Sequence, residues 1–417
     1  MNRRNALQTL AAALAPFPLP ADTSDIPALP DPSLADRDPE AYWLRIRNEQ
    51  FLLPEQRVFL NNGSLGVTPR PVVKATCDYM ERAAALLMDE TDYPRWGYET
   101  LEEHRAEMAA FAGCHKDELA FTHNATEAIN FIAAGVEMQA GDEVLMTDQE
   151  HPSGRSPWQM RAARQGIQVR EVKIPMPPRD PAQLAELITG AIGPRTRVLF
   201  FSGITSPTGL IMPIRDICDA ARAKGLITIV DGAHMNGQIP FRISDLGCDY
   251  FAGSPHKWLF APAGCGLLYG RGDSFDRLWP SVVTGGWDNR QLKAARFMMV
   301  GTNNRAIFEG MMAGLRFARA IGAERVYQRI HQLARLARKK AEEVPFVRLN
   351  TPGDDRMFGS LVSMDIPEAA VQRLMQTCKQ RKIWITGSKR LRLSTHIHTR
   401  PSDLDAFFAT LREVHGA

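Results

Sequence analysis

Asp231 and Lys257 are the side chains whose placement in the chain most suggests chemistry. The apolar run Leu226–Val230 stops at Asp231. A second run, Cys248–Ala252, leads into Gly253-Ser254-Pro255-His256-Lys257, and a third, Gly266–Tyr269, follows at once. Three such runs within one short stretch read as buried strands, and in open α/β sheets the ligand crevice lies beyond the carboxyl ends of the strands. A carboxylate and an amine are then brought to one mouth. They could be a solvated pair capping strand ends. They could instead hold an aldehyde cofactor, the lysine as an imine and the carboxylate against a pyridinium nitrogen, which is the pair a pyridoxal-phosphate enzyme needs. This stretch alone leaves both readings open.

Other stations offer polar groups at similar places. Val58-Phe59-Leu60 opens on Asn61-Asn62-Gly63-Ser64-Leu65-Gly66, whose glycines permit either a plain turn or close backbone approach to a ligand. Leu119–Thr122 runs into His123-Asn124-Ala125-Thr126, where a helix begins near Ala125. The first-turn N–H groups and the Thr126 hydroxyl would suit a phosphate, although Asn124 or Thr126 could simply be an N-cap. His151 follows the strand Glu143–Thr147 and could stack on an aromatic cofactor, move protons, or be an ordinary loop residue. The loop from Asp89 to Thr100 carries Tyr93, Arg95, Trp96 and Tyr98, which suit a pocket, a subunit interface or plain packing. Lys389 and Arg390 could recognise a second acidic group or be merely solvated.

The elements that must position these groups follow from the alternation of short apolar runs with helices between 119 and 270. That pattern predicts an α/β fold, a mostly parallel sheet covered by helices on both faces. Further helices are expected over Pro39–Glu55, Pro71–Glu90, Tyr98–Ala112, Ser156–Gly166 and Ile214–Lys224. Beyond Gly270 the pattern changes. One or two long helices span Arg305–Glu342, a strand Gly359–Ile366, a helix Glu368–Gln380 and a strand Ile383–Thr386. Arg392–His398 alternates as a half-buried antiparallel strand, and a final helix over Ser402–Val414 is capped by Ser402 with Asp405. A small α+β lobe therefore follows the large one. The expected divisions are a leader and Pro-rich extended tail (1–39), a segment joining the small domain (40–70), a large domain (71–304), and a linking helix with the small C-terminal domain (305–417).

Bulk properties narrow the function. A chain of 417 residues exceeds what one core usually supports. Fifty basic against 47 acidic side chains, with no basic block, give no reason to expect a nucleic-acid partner. Six cysteines show neither disulfide density nor metal-ligand spacing, so no metal is expected. There is no dinucleotide fingerprint and no Walker lysine loop. No apolar run in the body is long enough to span a membrane. At the N-terminus Arg3-Arg4 precedes a short apolar stretch, which resembles a twin-arginine export signal. Export to the periplasm is the expectation, with a cytoplasmic location as the alternative.

Taken together, these stations resemble the class V aminotransferase family of pyridoxal-phosphate enzymes, fold type I. Within it, NNGSLGVTPRPV at 61–72 is similar to the isopenicillin N epimerase-like branch. The resemblance covers roughly Phe59–Phe408. It implies that Lys257 forms the aldimine with pyridoxal 5'-phosphate and shuttles protons, and that Asp231 holds the pyridine nitrogen with His234 nearby. His151 would stack on the ring and take part in catalysis. Ala125, Thr126, Ser254 and His256 would contact the phosphate, joined by Thr302 from the partner of a homodimer. Arg392, in R-x-S-x-H, would clamp the substrate carboxylate, with Asn61 and Gly63 beside it. The implied activity is epimerase-like chemistry at the Cα of an amino acid or its derivative. A carbon–sulfur lyase, an aminotransferase, or an inactive binding protein of the same fold are the alternatives. Related cysteine desulfurases carry a cysteine shortly before the clamp arginine; here Ile383–Arg392 has none, and Cys378 precedes it.

Overall fold

A seven-stranded sheet forms the centre of the chain in this computed structural model, which describes residues 27–85 and 101–416. The Arg3-Arg4 leader and the aromatic loop with Tyr93, Arg95, Trp96 and Tyr98 lie outside the described residues. Of the strands, β1 (Val58–Phe59) belongs elsewhere. The large sheet comprises β2 (Leu119–Thr122), β3 (Glu143–Thr147), β4 (Gln168–Val172), β5 (Thr196–Ser202), β6 (Ile227–Gly232), β7 (Tyr250–Gly253) and β8 (Gly266–Gly270). Their order is β2-β8-β7-β6-β5-β3-β4. Pairs from β7 through to β4 are parallel, whereas β8 runs antiparallel to both neighbours. The tight connection through Pro255–Trp258 explains that reversal, because a parallel return would need a longer crossover. Every residue of β2, β3, β7 and β8 is buried, as a sheet covered on both faces requires.

The second sheet has four antiparallel strands, β12-β13-β10-β9, built from β9 (Arg348–Leu349), β10 (Leu361–Asp365), β12 (Thr386–Gly387) and β13 (Arg390–Ser394). Here β1 pairs in parallel with β11 (Ile383–Trp384). Two apolar clusters result. One surrounds the large sheet and takes in Tyr42, Trp43, Ile46 and Phe51 from the helix Pro39–Gln50 and the residue that caps it. The other joins Val58 and Leu60 to Leu391, Leu393, Phe407 and Phe408. The long helical region breaks at Gly322, φ +98°, into Ala306–Ile321 and Ala323–Glu342.

Three local expectations are corrected. The described end of the Pro-rich tail is not extended: Asp31 and Asp38 accept N–H bonds as N-caps, with Pro32 and Pro39 at the first helical positions of Pro32–Arg37 and Pro39–Gln50. An Asp-Pro pair starts a helix as readily as it breaks one. The Arg392–His398 alternation ends as a strand at Ser394, and the stretch is buried throughout, His396 and His398 included. The last helix begins at Pro401, so Ser402 lies inside it; the Asp403 carboxylate accepts the Arg400 N–H at 2.9 Å. Among the described residues no helix is long and apolar enough to cross a membrane.

Candidate active site

The parallel register aligns Ser202 of β5 with Asp231 of β6, and Asp231 with Ala252 of β7. Three neighbouring strands therefore end at one level. Asp231 is buried, and its Oδ1 accepts the Ala233 N–H at 3.0 Å. Burial pushes its carboxyl above the usual range, while the nearby Lys257 and His151 oppose that shift. A cationic ring nitrogen is the kind of donor that would reverse it.

Glu150 is a second buried carboxyl in this floor, and the sequence reading missed it. Thr147 Oγ1 and Ser202 Oγ donate to its two oxygens at 2.5 and 2.6 Å. Burial, with Asp231 adding to it, raises Glu150 from 4.5 to about 7 against those hydrogen bonds. A carboxyl raised in the folded state favours folding below its unfolded pKa, and that contribution disappears as pH climbs to the folded value. Between pH 4.5 and about 7 the chain should lose about 3 kcal/mol through this group. Glu150→Gln should match the wild type in thermal unfolding near pH 4.5 and exceed it above pH 7. Parallel pH–stability curves for the two proteins would refute this.

Lys257 sits in the four-residue helix Pro255–Trp258, with proline at its first position. Its Nζ lies 3.2 Å from His234 Nε2, and burial lowers the ammonium from 10.5 to about 8, with Arg392 helping and Asp231 resisting. The loop 61–66 clamps this helix. Asn62 Nδ2 donates to the Lys257 carbonyl at 2.7 Å, and the Gly66 N–H donates to the His256 carbonyl at 3.0 Å. A Cβ on Gly66 would stand 2.3 Å from the Lys257 carbonyl oxygen, so only glycine fits.

At the start of the helix Ala125–Gly135 the N-cap is Asn124, whose side chain accepts the Glu127 N–H at 2.8 Å. The Ala125 N–H donates to Ser254 Oγ at 3.1 Å. Within that first turn the Thr126 N–H and hydroxyl, on an exposed residue, are left for an anion, and the Ser254 O–H remains a donor. His256 is directed differently: its Nδ1 lies 2.8 Å from the Cys265 carbonyl, so that nitrogen carries the proton. The bare Nε2 of a neutral His256 could only accept, and burial disfavours the doubly protonated ring.

Arg392, opposite Ser363 in the small sheet, closes the other side. It is 8% exposed and pairs with no carboxylate among the described residues. Its NH1 donates to Ser206 O and Oγ at 2.8 and 3.0 Å, its NH2 donates to Ser64 Oγ at 2.9 Å, and its Nε has no partner. Burial brings the guanidinium down to about 10, still cationic at neutral pH. Ser64 in turn donates to Asn61 Oδ1 at 2.8 Å, and the Gly63 N–H donates to Ser394 Oγ at 2.8 Å. Ser64, Ser206, Glu150, His151, Thr386, Gly387, Arg390 and Arg392 line a cleft of about 360 Å³. Arg390 is paired with Asp365 at 3.2 Å and Lys389 is exposed.

Asp231, His234, Lys257, Arg392 and the glycine loop are thus brought together. His151 is the exposed N-cap of the helix Pro152–Gln165, its Nδ1 accepting the Ser153 N–H at 3.2 Å and its Nε2 left to carry the proton. Thr302 is exposed and makes no contact with these groups among the described residues; the adjacent Asn303 Oδ1 lies 3.0 Å from His123 Nε2.

The model of the aminotransferase class V family matches residues 58–402. The chain belongs to that family. It is 31% identical to isopenicillin N epimerase of Amycolatopsis lactamdurans over 395 residues, 89% of this chain and 98% of that protein. It is 24% identical to a probable cysteine desulfurase of Pyrococcus abyssi, over 87% of this chain and 95% of that one. Among solved structures, a complex of the cystine C–S lyase C-DES with its product cysteine persulfide superposes with a TM-score of 0.77 at 24% identity, covering 86% of this chain and 97% of that one. The class V aminotransferase family is pyridoxal-phosphate-dependent, and this member is a fold type I enzyme using that cofactor on an amino acid. The residues present suit the group: a buried carboxylate with an oxygen to spare, a lysine just beyond the end of the neighbouring strand, and a helix start with an N–H left over.

Proposed function

We propose that the chain inverts the Cα configuration of an amino acid or amino-acid derivative. The observation that carries substrate recognition is Arg392, a buried cation without an acidic partner whose Nε is unspent. Bound pyridoxal phosphate would be held by Asp231 at its ring nitrogen, by Thr126 and Ser254 at its phosphate, and by Lys257 covalently; it supplies an electron sink for the pair left on Cα. Arg392, steadied by Ser64 and Ser206, orients the substrate carboxylate and with it the Cα–H bond. Lys257, lowered toward neutrality, takes the proton. His151, on the exposed rim, is the second proton carrier, and return of a proton to the opposite face completes the inversion. Similarity to epimerases in Amycolatopsis lactamdurans and Streptomyces clavuligerus, each 31% identical, supports this outcome over its alternatives. A persulfide-forming desulfurase is disfavoured because Cys378 is buried in the helix Glu368–Gln380 and its thiol is raised to about 11.

A panel of amino acids in deuterated buffer tests the reading. Deuterium entering Cα together with racemisation is expected for at least one substrate class. Transfer of the amino group to an added keto acid, or release of a β or γ substituent, would replace epimerisation by transamination or elimination. A cofactor-loaded protein with no exchange on any substrate would leave a binding protein.

A homodimer and export belong to the same proposal. Thr302 is exposed in the single chain, and Trp279, Val282, Val283 and Trp287 are exposed apolar side chains earlier in the same segment. A second copy covering this surface would bring Thr302 to the neighbouring phosphate site; sedimentation at monomer mass would remove that role. Arg3-Arg4 would direct the folded protein to the periplasm, and unchanged export of the double variant Arg3→Lys, Arg4→Lys would end that idea.

A further inference from the structure

His234 is hydrogen-bonded at both ring nitrogens, which restricts where its proton can be. The indole N–H of Trp258 approaches Nδ1 at 3.3 Å, and Lys257 Nζ lies 3.2 Å from Nε2. An indole nitrogen can only donate. Nδ1 must then be the bare acceptor, and the one proton of a neutral ring resides on Nε2. That N–H faces the lysine nitrogen, so Nζ has to accept and therefore to be a neutral amine. An ammonium there would set two donors against each other.

We propose that Trp258 is a positioning residue: it fixes the Nε2–H tautomer of His234, which in turn presents a donor to the Lys257 nitrogen and holds it as a free base. The use of that base in turnover rests on the function proposed above; the tautomer itself does not.

The surroundings agree. Trp258 is fully buried and stacks on His396, ring centroids 5.8 Å apart and planes 20° from parallel. His396 also lies with Nε2 3.1 Å from the Trp258 carbonyl, while its Nδ1 accepts the Ile397 N–H at 2.8 Å. Trp258 is thus held from two sides by the histidine of the R-x-S-x-H pattern. Charged and titratable groups face the His234–Lys257 pair from each direction: Asp231 at the end of β6, Arg392 on β13, His151 on its loop and His256 in the same short helix. Asp231 favours cationic partners. Arg392, His151 and His256, together with Lys257 itself, disfavour a charged His234, and burial does the same. A doubly protonated ring is doubly excluded, since Nδ1 is already an acceptor.

The test uses the full-length protein without bound cofactor. Nitrogen-15 spectra of histidine-labelled wild type, with His234 identified by its loss in His234→Gln, should show Nε2 protonated and Nδ1 bare. In Trp258→Phe, which keeps an aromatic ring and removes the donor, the two tautomers should mix. The pH dependence of Lys257 acylation in the cofactor-free protein should then move upward, with roughly a tenfold fall in reactive amine near pH 7. A wild-type His234 carrying its proton on Nδ1 overturns the proposal, and this reading needs no variant to fold. So does a Trp258→Phe protein whose tautomer and lysine titration are unchanged. Failure of the wild type to bind pyridoxal phosphate, with His234 still protonated on Nε2, would overturn the proposed function and leave this inference standing.

Discussion

Lys257→Ala is expected to abolish the covalent attachment of pyridoxal phosphate. The wild type should yield a borohydride-reducible adduct mapping to a peptide containing Lys257, and the variant should yield none. Turnover should fall by roughly 10³-fold, because in the proposed mechanism the same amine would both anchor the cofactor and move the Cα proton. The structure makes this a clean substitution. Lys257 is held through its backbone by Asn62 and by its own helix, and no carboxylate is ion-paired with its amine among the described residues. Removing the side chain breaks the contact to His234 and little else. The variant should therefore keep the fold and bind the cofactor reversibly through Asp231, Thr126 and Ser254. A label retained at another lysine, or turnover close to wild type, would overturn the assignment.

The second large effect concerns Arg392, where affinity and stability should move apart. Arg392→Met removes a buried guanidinium that faces no acid while nearly filling its volume. Losing one member of a buried charge pair with the substrate carboxylate costs about 2–5 kcal/mol, so amino-acid affinity should drop roughly 30-fold or more. In the absence of substrate the same cation is uncompensated apart from its bonds to Ser206 and Ser64. Replacing an uncompensated buried charge by an apolar side chain is frequently neutral or stabilising. The urea midpoint should stay level or rise. Binding titrations and unfolding curves on one preparation decide it; unchanged affinity, or a sharp loss of stability, would sink the clamp assignment.

Asp231 and Lys257 were readable from sequence because each follows an apolar run, Asp231 at once and Lys257 after a short polar stretch, and the parallel register of β6 and β7 then aligns the strand ends. The direction of β8 was not, since a short buried run looks the same whichever way it points. The supporting residues were hidden for another reason. Ser64 and Ser206 reach Arg392 from segments far apart in the chain, and nothing local marks a serine as a partner of a distant arginine. Glu150 reads as one more polar loop residue until Thr147 and Ser202 close over it. The alternation in RLSTHIH was visible, but its meaning changed: His396 and His398 do not face solvent, they form a buried layer behind the lysine segment. Trp258 went unmarked in the sequence; it is core, with one polar atom that matters.

The hold of loop 61–66 on the lysine helix, and of β13 on that loop, also bears on the order in which a growing chain becomes competent. Asp231, Ser254 and Lys257, with the Ala125 N–H that Ser254 accepts, all belong to the large-sheet region. Arg392 arrives near the end of synthesis, and the loop that meets it has waited since near the beginning. Domains tend to fold as units, the earlier one first. A nascent chain could thus gather its cofactor before it can tell one amino acid from another, and selectivity would be the last property the ribosome delivers.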